Sequence, residues 1–189
     1  MYTRIRAVIA ALVLTEAAIV AQTRGAPEQF TALAVVNNNI ASGAGTVVIA
    51  VDRWSTEAER TTLVKTLQDK GPKALLKALQ DIRPLGRIRT PDSIGYDLHY
   101  AHQMRGEDGG RRIVIATDRP IGFWEVVRGA RSVDYPFTII QMQMGPDGRG
   151  KGTMSMATKV VAYGNTIELE NFATSPAMLT EIRSKKASD

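Results

Sequence analysis

Apolar and polar residues alternate along short segments of the chain from residue 94 onward. From Ile94 to Ala101, every second residue is Ile, Tyr or Leu, which is the period of a strand with one buried face. Turn residues such as Glu107–Gly110 and Gly164–Asn165 separate these segments. The pattern predicts strands over 94–101, 112–117, 121–127, 137–144, 153–163, 166–172 and 178–182.

The region before residue 90 combines two strands with a helical stretch. Residues 30–36 and 46–51 are mostly apolar or β-branched, which favours strands. The apolar period then lengthens to that of a helix, and Thr56 with Glu59 has the spacing of a capping box. A Gly-Pro pair at 71–72 interrupts the helical pattern, so we expect a pair of helices inserted after the second strand.

Consecutive antiparallel strands need a way to protect their edges. Such chains usually close into a barrel or pack as two sheets. We expect a mainly β (α+β) fold, an antiparallel meander of about eight to nine strands in a barrel-like or strongly curved sheet, with the helices covering one end. A two-sheet sandwich is the alternative, and a barrel of this size often encloses one small ligand.

The N-terminal segment has the layout of a secretory signal peptide. Arg4 and Arg6 precede the apolar run 7–14, and small residues lead to Ala21. Glu16 makes the apolar segment shorter and more polar than a membrane-spanning helix, although a retained anchor is the alternative. We expect a signal peptide over 1–21, a single β-rich domain over 22–189, and a periplasmic or secreted protein.

Composition narrows the possible chemistry. The chain has no cysteine and only two histidines, which excludes disulfides, zinc–thiolate sites, iron–sulfur clusters and cysteine nucleophiles. We therefore expect no cofactor and no metal site. The net charge of +5 comes from dispersed cations without interleaved aromatic residues, so we expect no nucleic-acid partner and at most a weak association with anionic surfaces.

Two long segments, Arg53–Arg60 and Arg112–Glu125, carry a resemblance to a known group of proteins. They are similar to a family of exported bacterial proteins, and matches at 71–79, 134–138 and 169–172 extend the similarity over nearly all of the chain after residue 21. The resemblance implies export and a single domain. It brings no activity, catalytic residue or ligand with it.

Asp97 and His99 are the candidates for catalysis. They lie two residues apart on a predicted strand, so both side chains project from the same face. A carboxylate that orients an imidazole is the basis of general-base catalysis. The alternative is a solvent-facing pair with no chemical role.

Arg119 and Trp124 are candidates for ligand contacts where the strand 112–117 runs into a loop. Functional groups often lie at such positions on a rigid sheet. Arg119 could receive an anionic group of a ligand, or it could pair with Asp118 or Asp134 for structural reasons.

Four methionines cluster in the predicted hairpin of strands 137–144 and 153–163. A turn centred on Arg149 would place Met142 opposite Met156 and Met144 opposite Met154. Such a group could pack in the core, form an adaptable wall for an apolar ligand, or bind cuprous copper through its thioethers.

These observations predict a noncatalytic exported domain that binds a small apolar or amphipathic molecule in a barrel-like cavity. The methionines and aromatic residues would line the cavity, and Arg119 would lie near its mouth. The alternatives are a cofactor-free enzyme that uses Asp97 and His99, and a structural or protein-interaction module of the cell envelope.

Overall fold

Antiparallel strands make up most of the chain in the computed structural model, which describes residues 25–37, 42–106, 109–119, 137–164, 166–172 and 176–186. The predicted signal peptide over 1–21 and the predicted strand over 121–127 lie outside the described residues. The elements are β1 (Glu28–Asn37), β2 (Ser42–Val51), α1 (Glu57–Gln80), β3 (Gly86–Arg89), β4 (Tyr96–Arg105), β5 (Arg111–Thr117), β6 (Thr138–Met144), β7 (Arg149–Tyr163), β8 (Thr166–Phe172) and β9 (Ala177–Lys186).

Eight of the nine described strands close into an antiparallel barrel. The strands follow one another as β6-β5-β4-β3-β2-β1-β9-β7, and β6 pairs with β7 to complete the ring. The last strand, β9, therefore inserts between β1 and β7 and ends the simple meander. The mainly β, barrel-like prediction is confirmed, and β8 pairs with the second half of β7 outside the ring.

The barrel interior is filled by the inward-facing side chains of all its strands. Successive strand residues point to opposite faces, so alternate positions such as Phe30, Ala32, Ala34 and Val36 of β1 enter the core. The interior cluster also contains Val47, Ile49, Val51, Trp54, Leu85, Ile88, Leu98, Ala101, Ile113, Ile115, Ile140, Met142, Met144, Met154, Ala177, Leu179 and Ile182.

Helix α1 packs against the outer wall of the barrel, so the prediction that helices cover one end was wrong. A second cluster joins its apolar face to outward-facing residues of β4, β5 and β6 and to Ile167 of β8. Its members are Leu63, Val64, Leu67, Leu75, Leu79, Tyr100, Val114, Ala116, Phe137, Ile139 and Ile167. The physical reason is that β5 and the first half of β6 are apolar on both faces, and their outer face also has to be removed from water.

The predicted pair of helices forms one helix interrupted at Gly71. This residue has φ 75° and ψ −175°, a conformation open to glycine and costly for other residues. Pro72 then starts the second arm, where its missing N–H would have no partner in the helix. The capping box is confirmed: Thr56 N donates to Glu59 Oε2 at 2.8 Å, and Glu59 N donates to Thr56 Oγ1 at 3.2 Å.

Strand β3 was missed by the sequence analysis. It has four residues, Gly86–Arg89, and joins β2 to β4 in the ring. Gly86 adopts φ 155°, and a Cβ there would lie 2.0 Å from the carbonyl oxygen of Ala50. The close approach of β2 and β3 therefore depends on glycine at this position.

A β-bulge in β4 changes which side chains face the core. Leu98 pairs with Thr117 while Tyr100 pairs with Ala116, so His99 is the extra residue between them. As a result, Leu98 points into the barrel and Tyr100 points outward into the layer beneath α1. The prediction that Leu98 and Tyr100 share one face was wrong because it assumed a regular strand.

The register of the β6–β7 hairpin differs from the predicted one. The turn is centred on Asp147 because Gly145 N donates to Arg149 O at 2.7 Å and Gly148 adopts φ 75°. The observed pairs are Thr138 with Met156, Ile140 with Met154, Met142 with Gly152 and Met144 with Gly150. The predicted pairing of Met142 with Met156 and of Met144 with Met154 was therefore wrong.

Candidate functional site

One end of the barrel is closed by Trp54 and the chain around it. Trp54 follows β2, belongs to the interior cluster, and donates from Nε1 to the carbonyl oxygen of Ala26 at 3.2 Å. The next residue, Ser55, accepts a hydrogen bond from Ala101 N at 3.0 Å and donates its own N–H to Ala101 O at 2.9 Å. The segment after β2 is thus fixed across this end.

An ion pair crosses the same end. Glu28 on β1 and Arg111 on β5 lie on opposite sides of the ring, four strands apart in either direction. Arg111 donates through both terminal nitrogens to Glu28, with 2.7 Å from Nη1 to Oε2, and also to Gln103 Oε1 at 2.9 Å. Glu28 is buried, so this bidentate pair satisfies a carboxylate that has lost its water.

The opposite end of the barrel, which we call the mouth, contains a pocket of about 130 Å³. Its apolar lining is formed by three members of the interior cluster, Val47, Ile88 and Met154, and by Tyr96, which packs against that cluster. Because β3 and β7 are opposite each other in the ring, Ile88 and Met154 bound the pocket from opposite sides of the barrel axis. The pocket is therefore an opening into the barrel interior.

Polar groups surround the rim of the mouth. Arg89, Thr90 and Ser93 line the pocket beside its apolar part. Thr90 and Ser93 form a tight turn in which Thr90 N donates to Ser93 Oγ at 3.0 Å and Ser93 N donates to Thr90 O at 3.2 Å. Ile94, 84% exposed, follows this turn. The mouth thus has an apolar interior and a mixed rim, the composition of many small-molecule sites.

The predicted ligand-contact methionines occupy different depths. Met142 and Met144 are buried in the core opposite Gly152 and Gly150, with no access from the mouth pocket's lining. Met154 lines the pocket. Met156 pairs with Thr138 through its backbone, and Trp124 lies outside the described residues.

Arg119 lies just after β5, at the mouth end of the barrel. Its side chain is exposed, and its Nε donates to Asp118 Oδ1 at 3.3 Å. The sequence suggested two uses for Arg119, a contact with an anionic ligand group or a structural ion pair. The described contacts of Arg119 include the ion pair with Asp118. Asp134, the other suggested partner, lies outside the described residues.

Asp97 and His99 have separate partners. Asp97 accepts hydrogen bonds on the barrel surface from Arg87 Nε at 3.1 Å and from Arg87 Nη2 at 2.8 Å. His99 is buried, and its Nδ1 lies 2.9 Å from the carbonyl oxygen of Ile82, to which it donates. Its Nε2 lies 3.7 Å from Asp118 Oδ1. The sequence analysis missed this His99–Asp118 contact because it depends on the register of the β4–β5 hairpin.

His102 lies half-buried beneath the first arm of α1. Its ring contacts Tyr100 edge-on, with 6.4 Å between ring centroids. Burial, together with the positive charge of Arg60, lowers the pKa of His102 to about 4. The imidazole is therefore neutral at physiological pH. Among the residues that the structure describes, no group of three or more His, Cys, Asp or Glu side chains could hold a metal ion.

Within the described ranges, no helix is both long and apolar enough to cross a membrane. No family model, curated protein or solved structure matches the chain significantly. The resemblance to exported bacterial proteins therefore stays a prediction.

Proposed function

We propose that this protein is an exported, noncatalytic binding domain that takes a small apolar or amphipathic molecule into the mouth of its barrel. The observation that carries the proposal is the pocket lined by Val47, Ile88, Tyr96 and Met154, which opens into the interior at this end. The other end is occupied by Trp54 and by the ion pair of Glu28 with Arg111. A barrel with this asymmetry favours entry of a ligand from one side.

The size of the pocket suggests which part of a ligand it accepts. Its volume of about 130 Å³ is comparable to an engineered apolar cavity of about 150 Å³ that binds benzene. The pocket therefore suits one ring or a short alkyl group. The remaining part of a larger ligand would lie at the rim beside Arg89, Thr90 and Ser93, where a carboxylate or hydroxyl could find partners.

Met154 is the residue best suited to report binding. It borders the pocket, whereas Met142 is fully buried deeper in the same interior cluster. An unbranched thioether side chain adapts to ligands of different shape. The predicted methionine wall is thus reduced, in this proposal, to one methionine at the bottom of the mouth.

Two measurements test the proposal. Native mass spectrometry of the protein from its own cells would detect a bound molecule of stoichiometric amount. Methyl NMR of the seven methionines, during titration with benzene and separately with hexanoate, would locate the site. We expect saturable shifts at the methyl group of Met154 and little change at Met142.

A matched pair of variants sharpens the test. Val47→Phe fills the pocket, whereas Val48→Phe places the same ring on the outer face of the same strand. The shift of Met154 on titration should disappear in Val47→Phe and persist in Val48→Phe. Arg89→Gln should weaken hexanoate binding and leave benzene binding unchanged. The proposal fails if no methionine signal responds saturably, or if Val47→Phe binds both probes as well as the unchanged protein does.

A further inference from the structure

The barrel wall formed by β1, β2, β9 and the first half of β7 has an outer face that α1 does not pack against. Among the described residues, the cluster beneath α1 includes none from β1, β2 or β9. Several outward-facing side chains of this wall are exposed or only partly buried, including Leu33, Val35, Val48 and Met178. We call this outer face the uncovered wall.

Positive charges gather on the uncovered wall toward the closed end of the barrel. Register places Arg149 of β7 directly opposite Arg183 of β9. Because the two strands are antiparallel, Lys151 lies two residues from Arg149 toward the mouth, and Lys185 lies two residues from Arg183 toward the closed end. Both are on the same outer face, and all four side chains are exposed. Glu181, in the bulge of β9, is the one acidic strand residue beside them in the described part of β7 and β9.

Repulsion between these like charges lowers the stability of the isolated protein. Like charges directly opposite each other on neighbouring strands are destabilising. None of these four cations forms a salt bridge with a carboxylate within the described residues. A groove of about 370 Å³ next to them is lined by Lys185 and Lys186 together with Gln29, Ala50 and Asp52. An anionic partner on this wall would remove the repulsion.

Apolar side chains extend the same wall toward the mouth. Met178, 47% exposed, pairs with Val35 on β1, and Leu33 lies two residues before Val35 on the same face of that strand. One continuous surface thus has cations in one half and apolar side chains in the other. A soluble polyanion would use only the first half, whereas the surface of an anionic bilayer offers negative headgroups and acyl chains together.

We propose that the uncovered wall docks the protein on a membrane surface rich in anionic phospholipids. The cations Arg149, Lys151, Arg183 and Lys185 face the headgroups, and Met178 with its apolar neighbours enters the interface. The mouth pocket is not required for this contact. The proposal is therefore independent of ligand binding by the barrel.

Co-sedimentation with lipid vesicles tests the docking. The full chain should bind vesicles of phosphatidylcholine with phosphatidylglycerol in equal amounts at low salt, and should bind phosphatidylcholine alone much less. Raising the salt concentration should release the protein because exposed charges are screened. At about 1 kcal/mol for each cation near an anionic surface, Arg183→Gln with Lys185→Gln should weaken binding about thirtyfold.

Lys65→Gln with Lys73→Gln on α1 is the matched control. Both lysines are exposed, and this double variant has the same net charge as the first one. It also has the same N-terminal segment, so any binding through that segment is equal in both. We expect the control to bind nearly as well as the unchanged protein. Met178→Ser should weaken binding by a smaller factor that salt does not change.

Three results would overturn the proposal. The first is equal binding to the two vesicle compositions, or to neither. The second is an equal loss of binding in the two double variants, which would show dependence on net charge alone. The third is binding to dextran sulfate that depends on Arg183 and Lys185 without binding to vesicles, which would assign the wall to a soluble polyanion. Far-UV circular dichroism of every variant checks that the fold is retained.

Discussion

The barrel has a covered side, where α1 packs on its outer face, and an uncovered side formed by β1, β2, β9 and the first half of β7. Both sides consist of antiparallel strands, but the outer face is buried only on the covered side. On the covered side, β5 and β6 place apolar residues on both faces, with Ile113 and Ile115 inside and Val114 and Ala116 beneath α1. On the uncovered side, β1 buries one face and alternates it with exposed or half-buried residues. Strand β2 on the uncovered side also has a continuous apolar run, Val47–Val51, yet only alternate residues of it are buried. An apolar run therefore does not by itself mark the wall that receives a second layer.

Removal of a side chain between helix and barrel should have the largest effect. Leu79 is fully buried in the layer beneath α1. Leu79→Ala should lower the free energy of unfolding by about 2–5 kcal/mol because it leaves a cavity. Leu33→Ala on the uncovered wall removes the same atoms from a half-buried site and should cost below about 1 kcal/mol. Urea denaturation measures both; equal losses would mean that the two walls are equally buried.

The second largest loss of stability should come from a substitution in β3, which joins β2 on the uncovered side to β4 on the covered side. Gly86→Ala introduces a Cβ that would lie 2.0 Å from Ala50 O, at a φ of 155°. We expect a loss of about 2–3 kcal/mol in thermal or urea unfolding as β2 and β3 separate. Gly43→Ala in β2 is the control, since a Cβ there meets nothing within 4 Å. A small effect at Gly86 would mean that β3 shifts without opening the ring.

On the side of the barrel that α1 covers, the titration of His102 should make the free energy of unfolding depend on pH. His102 has a pKa of about 4 in the folded protein, below the ordinary histidine pKa of 6.5 that applies to the unfolded chain. Above about pH 6.5 both states are neutral, so this group adds no pH dependence. Between these values the unfolded state binds the proton more readily, and stability falls as the pH falls.

His102→Gln should remove this part of the pH dependence. The unchanged protein should lose more stability than the variant between pH 7 and pH 5, measured by urea denaturation at each pH. Arg60 is the charged group that acts on this histidine from α1. Parallel stability curves for the two proteins would mean that His102 is solvated and titrates normally.

Relief of charge repulsion on the uncovered wall should have the smallest effect on the free energy of unfolding, and it should raise this free energy where the other substitutions lower it. Arg183→Thr removes the guanidinium opposite Arg149 and introduces a β-branched residue on β9. We expect the protein to gain a few tenths of a kcal/mol of stability at low salt, and less at high salt. A loss of stability at low salt would show that Arg183 has a stabilising contact in the folded protein.

Local patterns predicted most of the elements. The capping box of Thr56 with Glu59, the interruption at Gly71 and the turn that joins β7 to β8 are all present, and Tyr163 pairs with Thr166 across that turn. These features depend on residues close together in the chain. Strand β3 escaped detection because four residues containing two arginines are too short to establish a period.

The candidate site was less accessible to sequence reasoning. A turn centred two residues earlier than predicted changed every methionine pairing in the β6–β7 hairpin. The bulge at His99 gave Asp97 and His99 different partners, and the contact of His99 with Asp118 joins residues from neighbouring strands. Met154 and Ile88 line the mouth pocket from opposite sides of the barrel. Their proximity cannot be predicted from a local pattern because the two residues are far apart in the chain.

Local sequence patterns predict the class of fold and the approximate extent of most elements, because strand period, helix capping and turn conformation are properties of neighbouring residues. Long-range packing is responsible for three other features: β9 inserts between β1 and β7, α1 covers the wall instead of an end, and cations from β7 and β9 meet. These outcomes depend on strand register and on burial of the second apolar face. Both are set by packing between segments that are far apart in the chain.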